Sequence, residues 1–194
     1  MRMSNLHETM YDDDPEEEGV DEEKEFNDGN PIVIHRSIPI KGGINRIRAM
    51  QGLPLVALWS ETRKVKIYNI DGVVNDLKNC DITQKIERKA KEIDLEPIGN
   101  FNSVAEGFAV EWSPLMPGML ASGNCSGILN LYTASDENCS SFKKYNEYNY
   151  HTDSLEDIQF SPNDKNGIAT CGCDGMINFV DMRKDPRSGP VLSI

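Results

Sequence analysis

The chain has 194 residues, 38% of them apolar, a mean hydropathy of -0.51 and a formal net charge of -12. That length holds one or two domains. No apolar run approaches the roughly 18 residues of a membrane-spanning helix, and the N-terminus turns acidic where a secretory signal would carry its apolar core, so neither is expected.

The charge is unevenly placed. Ten carboxylates (Asp12, Asp13, Asp14, Glu16, Glu17, Glu18, Asp21, Glu22, Glu23 and Glu25) stand against the single Lys24, and this run carries three quarters of the net charge. Residues 1–30 show no hydrophobic periodicity. Repulsion at this density, with little apolar surface to offset chain ordering, predicts a disordered acidic segment. Such a polyanion attracts a basic partner over long range and with steep salt dependence; the plainer alternative is a solubilising tail without a specific partner.

Composition changes at Asn30-Pro31. Ile32 to Ile40 reads as a strand, pushed towards a sheet edge by Pro39. Gly42-Gly43 is a turn, and Ile44 to Ala49, Leu53 to Trp59 and Val65 to Ile70 read as three more strands, the last alternating with period two. An insertion of about 73–96 follows. There Asp81-Ile82-Thr83-Gln84 resembles a capping box, Ile82, Ile86, Ala90 and Ile93 share one helical face, and Pro97 lies beyond. This predicts a short surface helix over 81–94, with a long solvated loop as the alternative.

The second half repeats itself at an offset of 48 residues. Glu106-Gly-Phe-Ala-Val-Glu-Trp112-Ser113-Pro114 answers Ser154-Leu-Glu-Asp-Ile-Gln-Phe160-Ser161-Pro162, and Ala121, Cys125, Gly127 and Asn130 match Ala169, Cys173, Gly175 and Asn178. The spacing of 11 residues from Ala121 to Tyr132 and from Ala169 to Val180 recurs from Ala57 to Tyr68, so residues 44–70 are a third, diverged copy. In each later copy one strand ends at Ser-Pro. A second runs from Met119 to Gly123 or Ile168 to Gly172, and a glycine turn leads to a third, Ile128 to Tyr132 or Met176 to Val180. Ser141 to Tyr148 makes a fourth. Four short antiparallel strands in a period of about 40–50 residues describe a propeller blade. The expected fold is all-β, with blade-like units at about 31–70, 101–148 and 151–194.

Other residues read as structural. The five cysteines (Cys80, Cys125, Cys139, Cys171 and Cys173) are expected to be buried reduced thiols, and Cys171-x-Cys173 lacks the companions of a metal site. Trp59 and Trp112 are expected in the core. Arg46, Arg48, Arg63, Lys64 and Lys66 form a modest basic zone without the aromatic interleaving of a nucleic-acid surface. No nucleophile–base pair or metal-ligand set is legible, so neither catalysis nor a cofactor is expected.

The tract from His151 through Phe160-Ser-Pro to Asp174-Gly175, Val180-Asp181 and Arg183 resembles a WD repeat. Tyr150 stands before His151 where glycine is usual, Val180 replaces the usual Trp, and Ser126 replaces the turn Asp of the earlier copy. The resemblance implies a partial blade network of His151, Thr170 and Asp174. Together with Arg2 to His7 before the acidic run, Gly42-Gly43-Ile44-Asn45-Arg46-Ile47-Arg48, Ala57-Leu-Trp-Ser-Glu61 and Glu106 to Pro114, the chain resembles the glutamate-rich WD-repeat proteins. A closed propeller of that kind has about seven blades, so the chain reads as the N-terminal part of a longer protein, with about three. The resemblance implies a non-enzymatic ribosome-biogenesis chaperone of the nucleus and nucleolus. It would be a monomeric scaffold binding a basic large-subunit ribosomal protein through the acidic run, Asp12 to Glu25, with no direct nucleic-acid or membrane partner. The alternative is a histone-binding chromatin scaffold of the related branch.

Overall fold

A computed structural model describes residues 2–4, 32–80 and 91–194. The acidic run lies outside these, as does most of the helix expected over 81–94. From the N-terminus the elements are β1 (Arg2–Ser4), β2 (Ile32–Ile34), β3 (Arg36–Ser37), β4 (Ile44–Ala49), β5 (Leu55–Ser60), β6 (Lys64–Asn69), α1 (Asp71–Asn79), β7 (Lys91–Glu92) and β8 (Gly99–Asn102). They continue with β9 (Ala109–Trp112), β10 (Met119–Gly123), β11 (Ile128–Ala134), β12 (Phe142–Asn149), β13 (Leu155–Phe160), β14 (Gly167–Gly172), β15 (Ile177–Asp181) and β16 (Leu192–Ser193). Among the described residues two compact units result: β1–β3 with β7 and all but the first residue of α1, and β4–β6 with β8–β16.

In the smaller unit β1 pairs antiparallel with β2, and β3 pairs parallel with β7. Arg36 Nε donates to Asp76 Oδ2 of α1 at 2.6 Å. The insertion therefore differs from expectation. Its described helix is Asp71–Asn79, and Lys91–Glu92 is strand where helix was expected. The helix starts directly from β6, where Asn69 Oδ1 accepts the Asp71 N–H at 2.9 Å; Asp71 in the first turn and Lys78 in the last complement the helix dipole.

The larger unit holds three antiparallel four-stranded sheets, ordered β4-β5-β6-β8, β9-β10-β11-β12 and β13-β14-β15-β16. Register is the same in all three: Ala57 lies between Arg48 and Ile67, Ala121 between Glu111 and Leu131, and Ala169 between Gln159 and Phe179. The first sheet departs from the expected unit at 31–70. Its outer strand is β8, from beyond the insertion, and residues 32–37 pair elsewhere. Loop-closure entropy rises only slowly with length, so an inserted segment does not prevent β8 from completing the sheet.

The core lies between the sheets. Ala57, Trp59, Val65 and Ile67 of the first meet Val110, Trp112, Leu120 and Tyr132 of the second. Ala109, Ala121, Leu129, Leu131 and Tyr148 of the second meet Leu155, Ile158, Phe160, Ile168 and Val180 of the third. The middle sheet has neighbours on both faces, which is why every residue of β10 is buried. Polar groups bind the first junction too. Trp59 Nε1 donates to the Ala109 carbonyl at 2.8 Å, and Trp112 Nε1 donates to the Arg48 carbonyl at 3.0 Å, so each indole reaches into the opposite sheet. Arg46 Nε donates to the Phe108 carbonyl at 3.0 Å and Arg48 pairs with Glu111 at 3.3 Å. Two members of the expected basic zone thus hold sheets together.

The third sheet's far face has no such cover. Ile177 and Phe179 are 45% and 40% exposed, whereas the matching Leu129 and Leu131 are 3% and 0% exposed. A cavity of about 470 Å³ opens there beside Gln159, Pro162, Ala169, Phe179 and Val191. The cysteines need one correction: only Cys139 is buried, Cys80, Cys125 and Cys171 are half-buried, and Cys173 is exposed in the turn after β14. Apolar neighbours along the chain do not guarantee burial when the residue sits at a strand end.

Matched substitutions separate covered from uncovered positions. Leu131→Ala lowers unfolding free energy by about 2–5 kcal/mol, while Phe179→Ala at the equivalent place costs no more than about 1 kcal/mol, read by urea denaturation followed by tryptophan fluorescence. Equal losses would show that the third sheet's far face is packed in solution.

Candidate functional site

Two features stand out above the core: a buried polar network in the third sheet, and the loop rim that the network anchors. His151 precedes β13, Thr170 lies on β14 and Asp174 sits in the following turn. The fold brings all three together. His151 Nδ1 lies 3.0 Å from both carboxylate oxygens of Asp174, and Nε2 lies 2.9 Å from Thr170 Oγ1. Gly172 makes room for the imidazole, because a Cβ there would stand 2.7 Å from Nδ1. The turn depends on Gly175, at φ 77°, and its counterpart Gly127, at φ 79°.

The tautomer follows from the partners. The carboxylate of Asp174 only accepts, so Nδ1 carries the proton and Nε2 accepts. Asn178 of β15 reinforces this. Its Nδ2 donates to the Tyr150 carbonyl at 3.1 Å and lies 3.2 Å from Nε2, while Ser193 Oγ donates to its Oδ1 at 2.6 Å. The carbonyl can only accept, which places the amide nitrogen, a donor, against Nε2. Asp174 also accepts the N–H groups of Thr152 at 3.0 Å and Met176 at 3.1 Å. The hydrogen bond from His151, ahead of these backbone bonds, holds its carboxyl below the usual carboxylate range.

The second sheet carries a reduced version. Ser103 occupies the histidine position and accepts from Asn124 Nδ2 at 3.0 Å, and Asn124 Oδ1 takes the turn N–H groups of Ser126 and Ile128 at 3.0 Å. Ser122, at the threonine position, lies 3.2 Å from the Tyr132 hydroxyl, which burial pushes up to about 12. In the first sheet the threonine position is Leu58, which has no side chain for such a bond.

No family model matches the chain. It is 36% identical over 145 residues, 74% of its length, to the Glutamate-rich WD repeat-containing protein 1 of Dictyostelium discoideum. It is 28% identical over 195 residues, 97% of its length, to the Ribosome assembly protein rrb1 of Schizosaccharomyces pombe. The chain belongs to the glutamate-rich WD-repeat family. A further relative is the Histone acetyltransferase type B subunit 2 of Schizosaccharomyces pombe, 26% identical over 162 residues, 80% of the chain. The chain spans 28%, 38% and 35% of the lengths of these three relatives.

As a WD-repeat chain it has three of the sheets that build a partial β-propeller. The ten carboxylates from Asp12 to Glu25 lie outside the described residues, so the candidate partner-binding run has no geometry here. His151, Thr170 and Asp174 meet within hydrogen-bond distance. Val180 instead packs in the core between the second and third sheets. The sequence reading missed Asn178 and Ser193 as network members. The Asn130–Asn178 repeat match was the available signal, because a polar residue recurring inside an apolar strand must find a partner.

Acid sensitivity follows from the lowered carboxyl of Asp174. Its contribution to stability is present above the unfolded value, about 3.9, and is lost as pH falls through the lower folded value. Asp174→Asn therefore melts below the wild type at neutral pH, and the gap narrows at about pH 3. Thermal melts at both pH values check this; a constant gap would mean that the carboxylate charge contributes nothing.

Proposed function

We propose that this chain is the acidic and first-blade portion of a WD-repeat ribosome-assembly chaperone. Its client is a basic large-subunit ribosomal protein, held through the run from Asp12 to Glu25. The carrying observation is the concentration of three quarters of the net charge into that run, on a chain whose blades are otherwise of ordinary composition. A polyanion tethered to a rigid scaffold draws a cationic client by long-range attraction and shields it from nucleic acid. The name of the Schizosaccharomyces pombe relative, a ribosome assembly protein, supports this reading.

The chaperone works without catalysis, in the nucleus and there in the nucleolus. It acts as a monomeric scaffold and makes no direct contact with nucleic acid or membrane. A histone client is the second reading, favoured by the likeness to histone acetyltransferase subunits. The ribosomal client is preferred because the likeness to the ribosome assembly protein covers 97% of the chain, against 80% for the histone acetyltransferase subunit.

Deleting residues 12–25 tests the proposal. Nuclear extract passed over the wild-type chain yields one large-subunit ribosomal protein that elutes at raised salt, and the deletion variant loses it. Histones in its place would favour the second reading. Retention of the ribosomal protein by the deletion variant would remove the acidic run from the function.

A further inference from the structure

Two Ser-Pro dipeptides stand at the same place in the repeat, Ser113-Pro114 after β9 and Ser161-Pro162 after β13, and the sequence has no other Ser-Pro or Thr-Pro. The backbone is alike at both. The Ser113 N–H donates to the Met119 carbonyl and the Ser161 N–H to the Gly167 carbonyl, each at 2.9 Å. Each hydroxyl accepts from its own turn: Ser113 Oγ from the Met116 N–H at 3.1 Å, and Ser161 Oγ from the N–H groups of Asn163 at 3.3 Å and Asp164 at 3.0 Å.

Their surroundings differ. The third sheet covers the second, Met116 packs against the core between them, and Ser113 is 6% exposed. Among the described residues nothing covers the third sheet's far face. Ser161 is half-buried there and lines the cavity together with Asp164 and Asp181. The four residues after it, Pro162, Asn163, Asp164 and Lys165, are all exposed. The bonds that fix this turn are local. Besides the two to Ser161 Oγ, the Asn166 N–H donates to Asp164 Oδ1 at 3.0 Å and the Gly167 N–H to the Asp164 carbonyl at 3.1 Å. Opening the turn leaves the β13–β14 ladder from Phe160↔Ile168 onwards intact, so it costs far less than unfolding the sheet.

We propose that Ser161 is a phosphate-acceptor site, modified by a proline-directed protein kinase, and that the covered Ser113 is not. Proline beside the acceptor has no N–H to satisfy and a fixed φ, so an enzyme with an apolar pocket at that position selects Ser-Pro over other serines. The γ-phosphoryl group of a nucleoside triphosphate moves to Ser161 Oγ. The new O–P bond forms, the bond to the bridging oxygen of the departing diphosphate breaks, and the hydroxyl proton passes to the enzyme's base. The product puts a charge of about -1.5 to -2 at an apolar cavity that Asp164 and Asp181 already line. An apolar surface cannot cover such a charge without a large desolvation cost, so the phosphate keeps the far face in water. This site goes beyond the chaperone reading and stands or falls apart from it.

The test incubates the full-length chain with a proline-directed kinase and magnesium ATP, and maps phosphate by mass spectrometry of the digested protein. Peptides of residues 107–119 and 155–167, each with one Ser-Pro, are treated alongside. Both peptides are expected to take up phosphate, and in the folded chain Ser161 alone. Ser161→Ala is expected to abolish uptake, and Pro162→Ala, which keeps the hydroxyl, to slow it roughly tenfold. Melting temperature checks that each variant folds, and Pro162→Ala keeps the test open if Ser161→Ala does not. Modification of the 155–167 peptide without modification of the folded chain overturns the site. So does failure of that peptide, or equal uptake at Ser113 and Ser161 in the folded chain. Nile red, a neutral dye for apolar surface, is expected to bind the phosphorylated chain several-fold more weakly than the unmodified one; equal binding overturns the effect on the far face.

Discussion

The structure depends on one sheet covering the apolar face of the next. An antiparallel sheet of four short strands is too small to bury its own apolar surface and needs a neighbour. Here the same register is reused three times, with Ala57, Ala121 and Ala169 at equivalent places, and the small side chains of Ala57 and Ala121 let the next sheet approach closely. Bulky residues then fill the gap: Trp112 and Tyr132 at the first junction, Phe160 and Val180 at the second. The crossed indole hydrogen bonds of Trp59 and Trp112 give the first junction directional as well as apolar cohesion. An uncovered position such as Phe179 shows that burial is a property of the stack, not of the sheet.

The polar network follows a gradient along the stack. The third sheet has a histidine–carboxylate pair with both imidazole nitrogens partnered, the second substitutes a serine and an asparagine, and the first has Leu58 at the threonine position. All three sheets keep the same register, so the network is not what sets it. Its role is at the loops, where Asp174 ties Thr152 and Met176 to one carboxylate and so shapes the rim beside the third sheet. A buried charge needs this many partners, because any one left unmet costs more than the bond returns.

Charge is partitioned in the same way. Cations of the first sheet are partly consumed in structure, with Arg46 and Arg48 both bonded to the second sheet. Along the second and third sheets the chain carries no Lys or Arg over 99–142 and 145–164.

Much of this was legible in the residues. The offset of 48, the Ser-Pro strand ends and the glycine turns were enough to place four strands per unit, because these signals are local or repeat at fixed spacing, while the grouping of His151, Thr170 and Asp174 came from the resemblance to a WD repeat. What escaped were features set by distant partners. The outer strand of the first sheet comes from Gly99–Asn102 across an insertion, Asn178 and Ser193 join the histidine only because two strands pair, and Arg46 and Arg48 are bonded only because a second sheet stacks on the first. By itself the sequence determined the repeat, the four-strand unit and the placement of charge, since periodicity and composition are properties of the chain. Only the tertiary structure decided which faces are covered and which loops join into one surface, since burial and hydrogen bonding belong to pairs of residues far apart along it.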